Sequence, residues 1–529
     1  MSKFIDRIGL EVDYPPANPL SKQVPPAAEL NTYTKVLPKG SVHGKGAFPL
    51  PCDIIADYDQ PLVMRDSVKL YADVYRPNTK GKVPAILVYT PYCKREGHWN
   101  TNLSPTLFGT DPATLSGLQA FEAPDPGWWC NEDYAVVYVD AAGTSHSEGD
   151  QPFQGTELGE RGHDAIEQVA KFEWCTGAIA MAGNSQLAMG QWAIAAQHPP
   201  HLKALAPWEG LVDVYRENSM RGGIPDADFY NDAIACFLFG TTRGDSPALN
   251  STRYPLMNAY WEDKIPAIKN IDLPAYVVAS WTSPLHAKGT VDAFRALPSK
   301  QKWLRVHNTQ EWLDIADWDN ARDLKRFFDR YLKGIENDWE ATAPVRLSIL
   351  NPGGADQVGR AEDIWPLERQ QFHRFHLDAA RGRLATDPVE QAAFVQYDSQ
   401  NVKASAGFVI EVEPTLSYTG PTGRLRVSHR ALDTKLSTPE EPVLAHREEQ
   451  LISPGEIVPV DLTLWPTSMI VNAGERLVIE IGGHEVGPVA PAFPPLPGTK
   501  LSLATRNKGR HRIHAGGKYD SWLNLPIIP

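Results

Sequence analysis

The chain has little cysteine. Five residues in 529, Cys52, Cys93, Cys130, Cys175 and Cys236, are widely spaced and form no CxxC pair. Neither a disulfide framework nor a zinc knuckle is indicated, and a reducing compartment fits best. No run approaches the roughly 18 consecutive apolar residues of a membrane span, and Asp6, Glu11 and Asp13 interrupt the N-terminal stretch before a signal-peptide core could form. A cytoplasmic location without a membrane partner is expected. Positive charge is also scarce: 51 Lys plus Arg against 64 Asp plus Glu give a net charge of −13. That sign repels phosphate backbones, so no nucleic-acid partner is expected. There is no internal repeat, and the one low-complexity patch, VAPAFPPLPG at 489–498, reads as a rigid loop.

Other residues are plentiful. Hydrophobic residues make up 42% and charged residues 22% of the chain, ample for a core without crosslinks. At roughly 100–200 residues per domain, two or three domains are expected. The 45 Pro and 15 Trp exceed the usual share, marking ordered loops and large apolar contacts.

Residues 1–50 (YPPANPL, QVPPAAEL, VLPKGSVHGKG) carry little periodicity and read as an irregular arm. From 51 to 340 short apolar runs recur, among them PAILVYT, YAVVYVD, AIAMAG, LKALAPW, AYVVASW and KWLRV, with helical patterns between several of them. Such alternation predicts an α/β domain, a parallel sheet covered on both faces. Residues from about 214 to 270 break the rhythm with a helical-looking insertion, expected to cap the site. From 341 to 529 the helices stop, and strands beginning with VRLSIL and QFHRFHL predict an all-β sandwich, read as a jelly roll.

The segment AIAMAGNSQLAMGQW runs from an apolar strand through Gly183-Asn184-Ser185 into a helix. This is the setting in which a sharp turn exposes a nucleophilic serine, although Leu187 stands where a second glycine is usual. A serine nucleophile needs a base and an acid. Two histidines follow strands: His307, directly after KWLRV, is the preferred base, and His286 is the alternative. The loop after AYVVASW offers no carboxylate, so Glu209, at the end of LKALAPW, is the expected acid, with Asp213, Glu311 and Asp314 in reserve. The backbone N–H of Gln186 and the phenol of Tyr92 are the expected oxyanion donors. Trp128, Trp129, Trp208, Tyr230 and Trp281 suggest an aromatic-lined pocket. His511-x-x-His514 is a poor metal pair, because i and i+3 on a strand face opposite ways. No metal and no cofactor are expected.

The runs VMRDSVKLYADVYRP, AILVYTPYCKRE, VDAAGTSHSEGD, WCTGAIAMAGNSQLAMGQWAIAAQHPPHLKALAPWEGLVDVYRE and GRHRIHAGGKYDSWLNLPIIP resemble the CocE/NonD hydrolases, the cocaine esterase and X-prolyl dipeptidyl-peptidase (peptidase S15-like) family. The resemblance covers about residues 50–529. It implies an α/β-hydrolase domain with a helical cap and a C-terminal jelly roll, acting on esters or amides through an acyl-enzyme. It also implies Ser185 as nucleophile, with Gln186 and Tyr92 at the oxyanion. The chain departs from the family at several points. G-x-S-Y-x-G becomes Gly183-Asn184-Ser185-Gln186-Leu187-Ala188, and the W-Y-D acid segment becomes Trp281-Thr282-Ser283. The P-W-S-H position falls on Glu311, and the D-x-R-G loop, Asp140-Ala141-Ala142-Gly143, lacks its arginine.

The leading expectation is therefore a serine hydrolase of a small-molecule ester or amide with a rearranged triad, Ser185–His307–Glu209, possible as a homo-oligomer. An acyltransferase or cyclase of secondary metabolism on the same scaffold is one alternative. A ligand-binding pseudoenzyme, supported by the missing acid, is the other.

Overall fold

The computed structural model describes residues 3–5, 7–23, 27–95, 109–226, 238–283, 285–401, 405–409, 422–483 and 508–529. In the N-terminal arm, β1 (Lys3–Ile5) and β2 (Glu11–Asp13) pair antiparallel. The arm also contributes β3 (Tyr33–Leu37) to the main sheet, where it precedes β4 (Ile54–Val63) and β5 (Lys69–Pro77) as an antiparallel edge.

The sheet's centre is built from the runs that are apolar at nearly every position, since strands covered on both faces cannot alternate with polar residues. These are β6 (Val83–Thr90), β7 (Ala135–Asp140), β8 (Cys175–Asn184), β9 (Leu202–Trp208) and β10 (Ala275–Ser280), with β11 (Lys302–His307) beside them, whose Lys302 and Arg305 are half-buried. They lie parallel in the order β7-β6-β8-β9-β10-β11. VRLSIL does not open the sandwich as its composition suggested. It forms β12 (Val345–Ile349), parallel to β11 with Leu304 opposite Val345, and β13 (Gln357–Glu362) then closes the edge antiparallel. Val345 and Leu347 are fully buried there; a short apolar strand does not itself specify which sheet it extends.

The helices divide between the two faces. α1 (Pro126–Asn131), α2 (Thr156–Val169) and α3 (Gln186–Ala195) are followed by α4 (Pro247–Arg253) and α5 (Ala259–Asp263) in the cap region. α6 (Ala287–Ala296), α7 (Glu311–Ala316) and α8 (Trp318–Leu332) come last. On β7, Ala135, Val137 and Val139 face one core with Ile166, Trp192 and Phe294. The alternate residues Val136 and Tyr138 face the other, with Trp129, Phe327 and Phe328. The cap has its own apolar cluster, with Tyr215, Met220, Tyr260 and Trp261 packed on Val12 and Tyr14 of the arm. Part of the helical pattern expected there, residues 227–237, lies outside the described residues.

Beyond the main sheet the regular structure of the described residues is nearly all strand, joined by long irregular stretches. β14 (Gln371–Asp378), β15 (Arg383–Ala385), β17 (Ser405–Val409), β18 (Val478–Gly482) and β20 (Trp522–Ile527) make a five-stranded sheet, and β16 (Ala393–Asp398) pairs with β19 (Arg510–Ala515). On β19, His511 packs on Tyr397 and His514 on Phe394. Among the described residues no helix is long and apolar enough to cross a membrane.

Candidate active site

Ser185 sits between β8 and α3 with φ 54° and ψ −120°. This left-handed backbone is costly for a residue with a side chain and persists only where its surroundings enforce it. The enforcement is local: its N–H donates to the carbonyls of Trp208 (3.1 Å) and Glu209 (3.0 Å). The missing second glycine is accommodated from the other side. A Cβ on Gly183 would stand 2.8 Å from Leu187 Cβ, and one on Gly210 would stand 3.0 Å from Ala188 Cβ. The turn therefore tolerates Leu187 because Gly183 has no side chain.

The loop after β10 returns His286 to the serine. Ser185 Oγ lies 3.2 Å from His286 Nε2, and His286 Nδ1 lies 3.0 Å from Glu311 Oε2. With Nδ1–H donating to the carboxylate, Nε2 keeps its lone pair for the serine hydroxyl; this tautomer follows from the hydrogen-bond network. Glu311 opens α7, and its backbone carbonyl accepts from Asn184 Nδ2 at 3.2 Å, so the middle residue of the elbow helps hold the acid. His286 and Glu311 are 1% and 8% exposed, which keeps this chain of contacts away from water.

The expected base and acid do meet, but not at the serine. His307 Nε2 lies 2.7 Å from Glu209 Oε1, and His307 Nδ1 lies 3.0 Å from Thr309 Oγ1. Both ring nitrogens are engaged, leaving none for Ser185. The expected grouping Ser185–His307–Glu209 is therefore not brought together; the hydrogen bonds join Ser185, His286 and Glu311 instead. Burial pushes His307 down to about 4, while burial and then the charge of Glu311 push Glu209 well up. The other reserve carboxylates form ion pairs, Asp213 with Arg216 and Asp314 with Arg305. Glu209, His286 and Glu311 each place one ligand atom within 4.8 Å of the others. These donor types suit a divalent cation, although His286 is already committed to Ser185 and Glu311.

Tyr92, just past β6, interacts through its phenol with Ser185 and with Glu122. Burial, followed by the nearby Glu122 and Glu311 charges, raises its pKa and keeps it a donor. The N–H of Gln186, first residue of α3, has no intrahelical acceptor and complements Tyr92 beside the serine. Glu122 was missed by sequence reasoning: FEAPDP carries no motif, and its role depends on a loop folding back. Its carbonyl accepts from the N–H of Asn184 (3.0 Å), and its Oε1 accepts from Trp312 Nε1 (3.3 Å). The arginine-less loop is held instead by Lys94, whose N–H and Nζ reach Asp140 at 2.7 and 3.0 Å. A cavity of about 60 Å³ is lined by Glu122, Gly183, Trp128, Trp129, Trp208 and Trp312, among others. Trp281 points elsewhere, donating to the carbonyl of Ser348 at 2.7 Å. Tyr230 lies outside the described residues.

Residues 66–242 match the X-Pro dipeptidyl-peptidase (S15 family) model, and residues 413–524 match the X-Pro dipeptidyl-peptidase C-terminal non-catalytic domain. The chain is 24% identical to cocaine esterase from Rhodococcus sp. (strain MB1 Bresler), over 88% of this chain and 97% of the esterase. Its structure is similar to that of a CocE/NonD family hydrolase from Staphylococcus aureus, with TM-score 0.86, 29% identity, and coverage of 94% of this chain and 98% of that one. The chain belongs to the CocE/NonD hydrolase family. It is a serine hydrolase with the α/β-hydrolase fold and a C-terminal all-β domain. This CocE/NonD hydrolase also shares its fold with an α-amino acid ester hydrolase, at TM-score 0.63 and 16% identity over 89% of this chain and 96% of that one. Relative to the family pattern, a histidine and a carboxylate stand in each other's loops. The segment matched to the W-Y-D acid leads into His286, and the position matched to the family histidine holds Glu311.

Proposed function

We propose that this hydrolase cleaves an ester or amide of a small molecule through an acyl-enzyme on Ser185, with His286 as base and Glu311 as its orienting acid. The observation that carries this reading is the unbroken hydrogen-bond chain Ser185 Oγ–His286–Glu311. Ser185 Oγ attacks the carbonyl carbon as His286 Nε2 takes its proton, and Glu311 balances the imidazolium that forms. The Gln186 N–H and the Tyr92 O–H receive the developing oxyanion. Collapse of the intermediate expels the alcohol or amine, which takes the proton from His286. Water, deprotonated by the same nitrogen, then releases the acid and restores Ser185. Glu311 also removes the ground for a ligand-binding pseudoenzyme, which was the lack of an acid.

A serine-directed fluorophosphonate is expected to label the protein at Ser185 and to fail on Ser185→Ala. A wild-type protein that resists labelling would count against the acyl-enzyme.

A further inference from the structure

Glu122 lies outside the triad, yet both its backbone and its side chain are tied to the site. The Asn184 N–H fixes its carbonyl at 3.0 Å, which sets the carboxyl's position relative to Ser185. The side chain is 6% exposed; Oε1 accepts from Trp312 Nε1, and Oε2 is buried with no hydrogen-bond partner. The Tyr92 phenol interacts with this carboxyl and with Ser185. The other charged groups acting on it are the carboxylates of Glu311, from α7, and Glu209, from the end of β9. Neither is a cation, so an ionised Glu122 would be a buried negative charge with one bare oxygen, a costly state.

A phenol has one proton to give. An ionised carboxylate only accepts, so beside Tyr92 it would draw that proton toward itself and away from the reacting oxygen. A neutral carboxyl carries its own O–H and can donate to the phenol oxygen, leaving the phenol proton for the substrate. We infer that Glu122 is a positioning residue, which as the neutral acid keeps the Tyr92 O–H aimed at the oxyanion and on ionising turns it away. This deepens the acyl-enzyme reading above and rests on it. Burial, then the charge of Glu311, raises the Glu122 carboxyl well above the ordinary range and so favours the neutral form; the site loses its donor as rising pH ionises it.

The test is the rate of fluorophosphonate labelling of the full chain as a function of pH. The wild-type rate is expected to fall on the alkaline side, by about 10²-fold at full ionisation, the usual cost of one oxyanion donor. Glu122→Gln cannot ionise, and its amide can donate to the phenol oxygen, so its profile is expected to stay flat across that limb. A Glu122→Gln profile that keeps the wild-type fall, or a wild-type profile without one, overturns the inference. Tyr92→Phe gives a second reading that does not depend on Glu122→Gln folding: it is expected to be about 10²-fold slower and to lose the limb. A Tyr92→Phe protein that retains the limb also overturns it. Wild-type protein that is not labelled at all overturns the acyl-enzyme reading as well; labelling with an unchanged Glu122→Gln profile overturns this inference alone.

Discussion

Two imidazole–carboxylate pairs lie near one another past the C-terminal ends of β9 to β11, and they differ in what their second nitrogen does. In His286–Glu311 the carboxylate takes one ring nitrogen at 3.0 Å and the other faces Ser185 Oγ at 3.2 Å. In His307–Glu209 the contact is shorter, 2.7 Å, but the remaining nitrogen is spent on Thr309. Both histidines are nearly inaccessible. Burial and a close carboxylate therefore do not identify a base; an unengaged nitrogen within reach of the nucleophile does. The His307–Glu209 pair bridges the ends of β11 and β9 across β10.

That contrast can be broken by substitution. The largest loss is expected for Ser185→Ala and His286→Gln, about 10⁶-fold in turnover of an ester substrate, since each removes a reacting group. Glu311→Gln should retain the fold and lose about 10⁴-fold, because an amide can hold the imidazole in the wrong tautomer. Tyr92→Phe should lose about 10²–10³-fold in kcat, the size of one oxyanion donor. The smallest kinetic effect belongs to His307→Gln, expected to remain within a few-fold of wild type, which would separate the two pairs cleanly.

His307 should instead reveal itself in stability. Burial holds it down to about 4 against its ordinary 6.5, so between those values the unfolded chain binds the extra proton. Its contribution is full above 6.5, and stability falls as pH drops through that window, by on the order of 3 kcal/mol. In a plot of Tm against pH, His307→Gln should flatten that acid slope; an unchanged slope would show that His307 is not held neutral.

The same contrast explains what could be read from the chain alone. Ser185 was legible because strand, glycine and helix are contiguous around it, and the central strands were legible because β6, β7 and β10 are apolar up to their last residue. The Glu209–His307 contact was also legible, as two residues at neighbouring strand ends. That His286, not His307, reaches Ser185 was not legible, because no local pattern encodes where the chain after β10 places that imidazole. Glu311 was marked by one signal, its coincidence with the family's histidine position, which becomes informative only once the exchange of loops is known. Glu122 left no signal at all, because its place is fixed by a backbone contact with Asn184 62 residues away. β12 shows the equivalent limit for the fold: VRLSIL fits either sheet by composition, and its burial against β11 decides.

The most direct test of the exchanged triad is fluorophosphonate labelling of His286→Gln and His307→Gln side by side, each checked for folding by its thermal transition. Labelling lost in His286→Gln and retained in His307→Gln is the predicted result; the reverse pattern would contradict the assignment of His286 as the base.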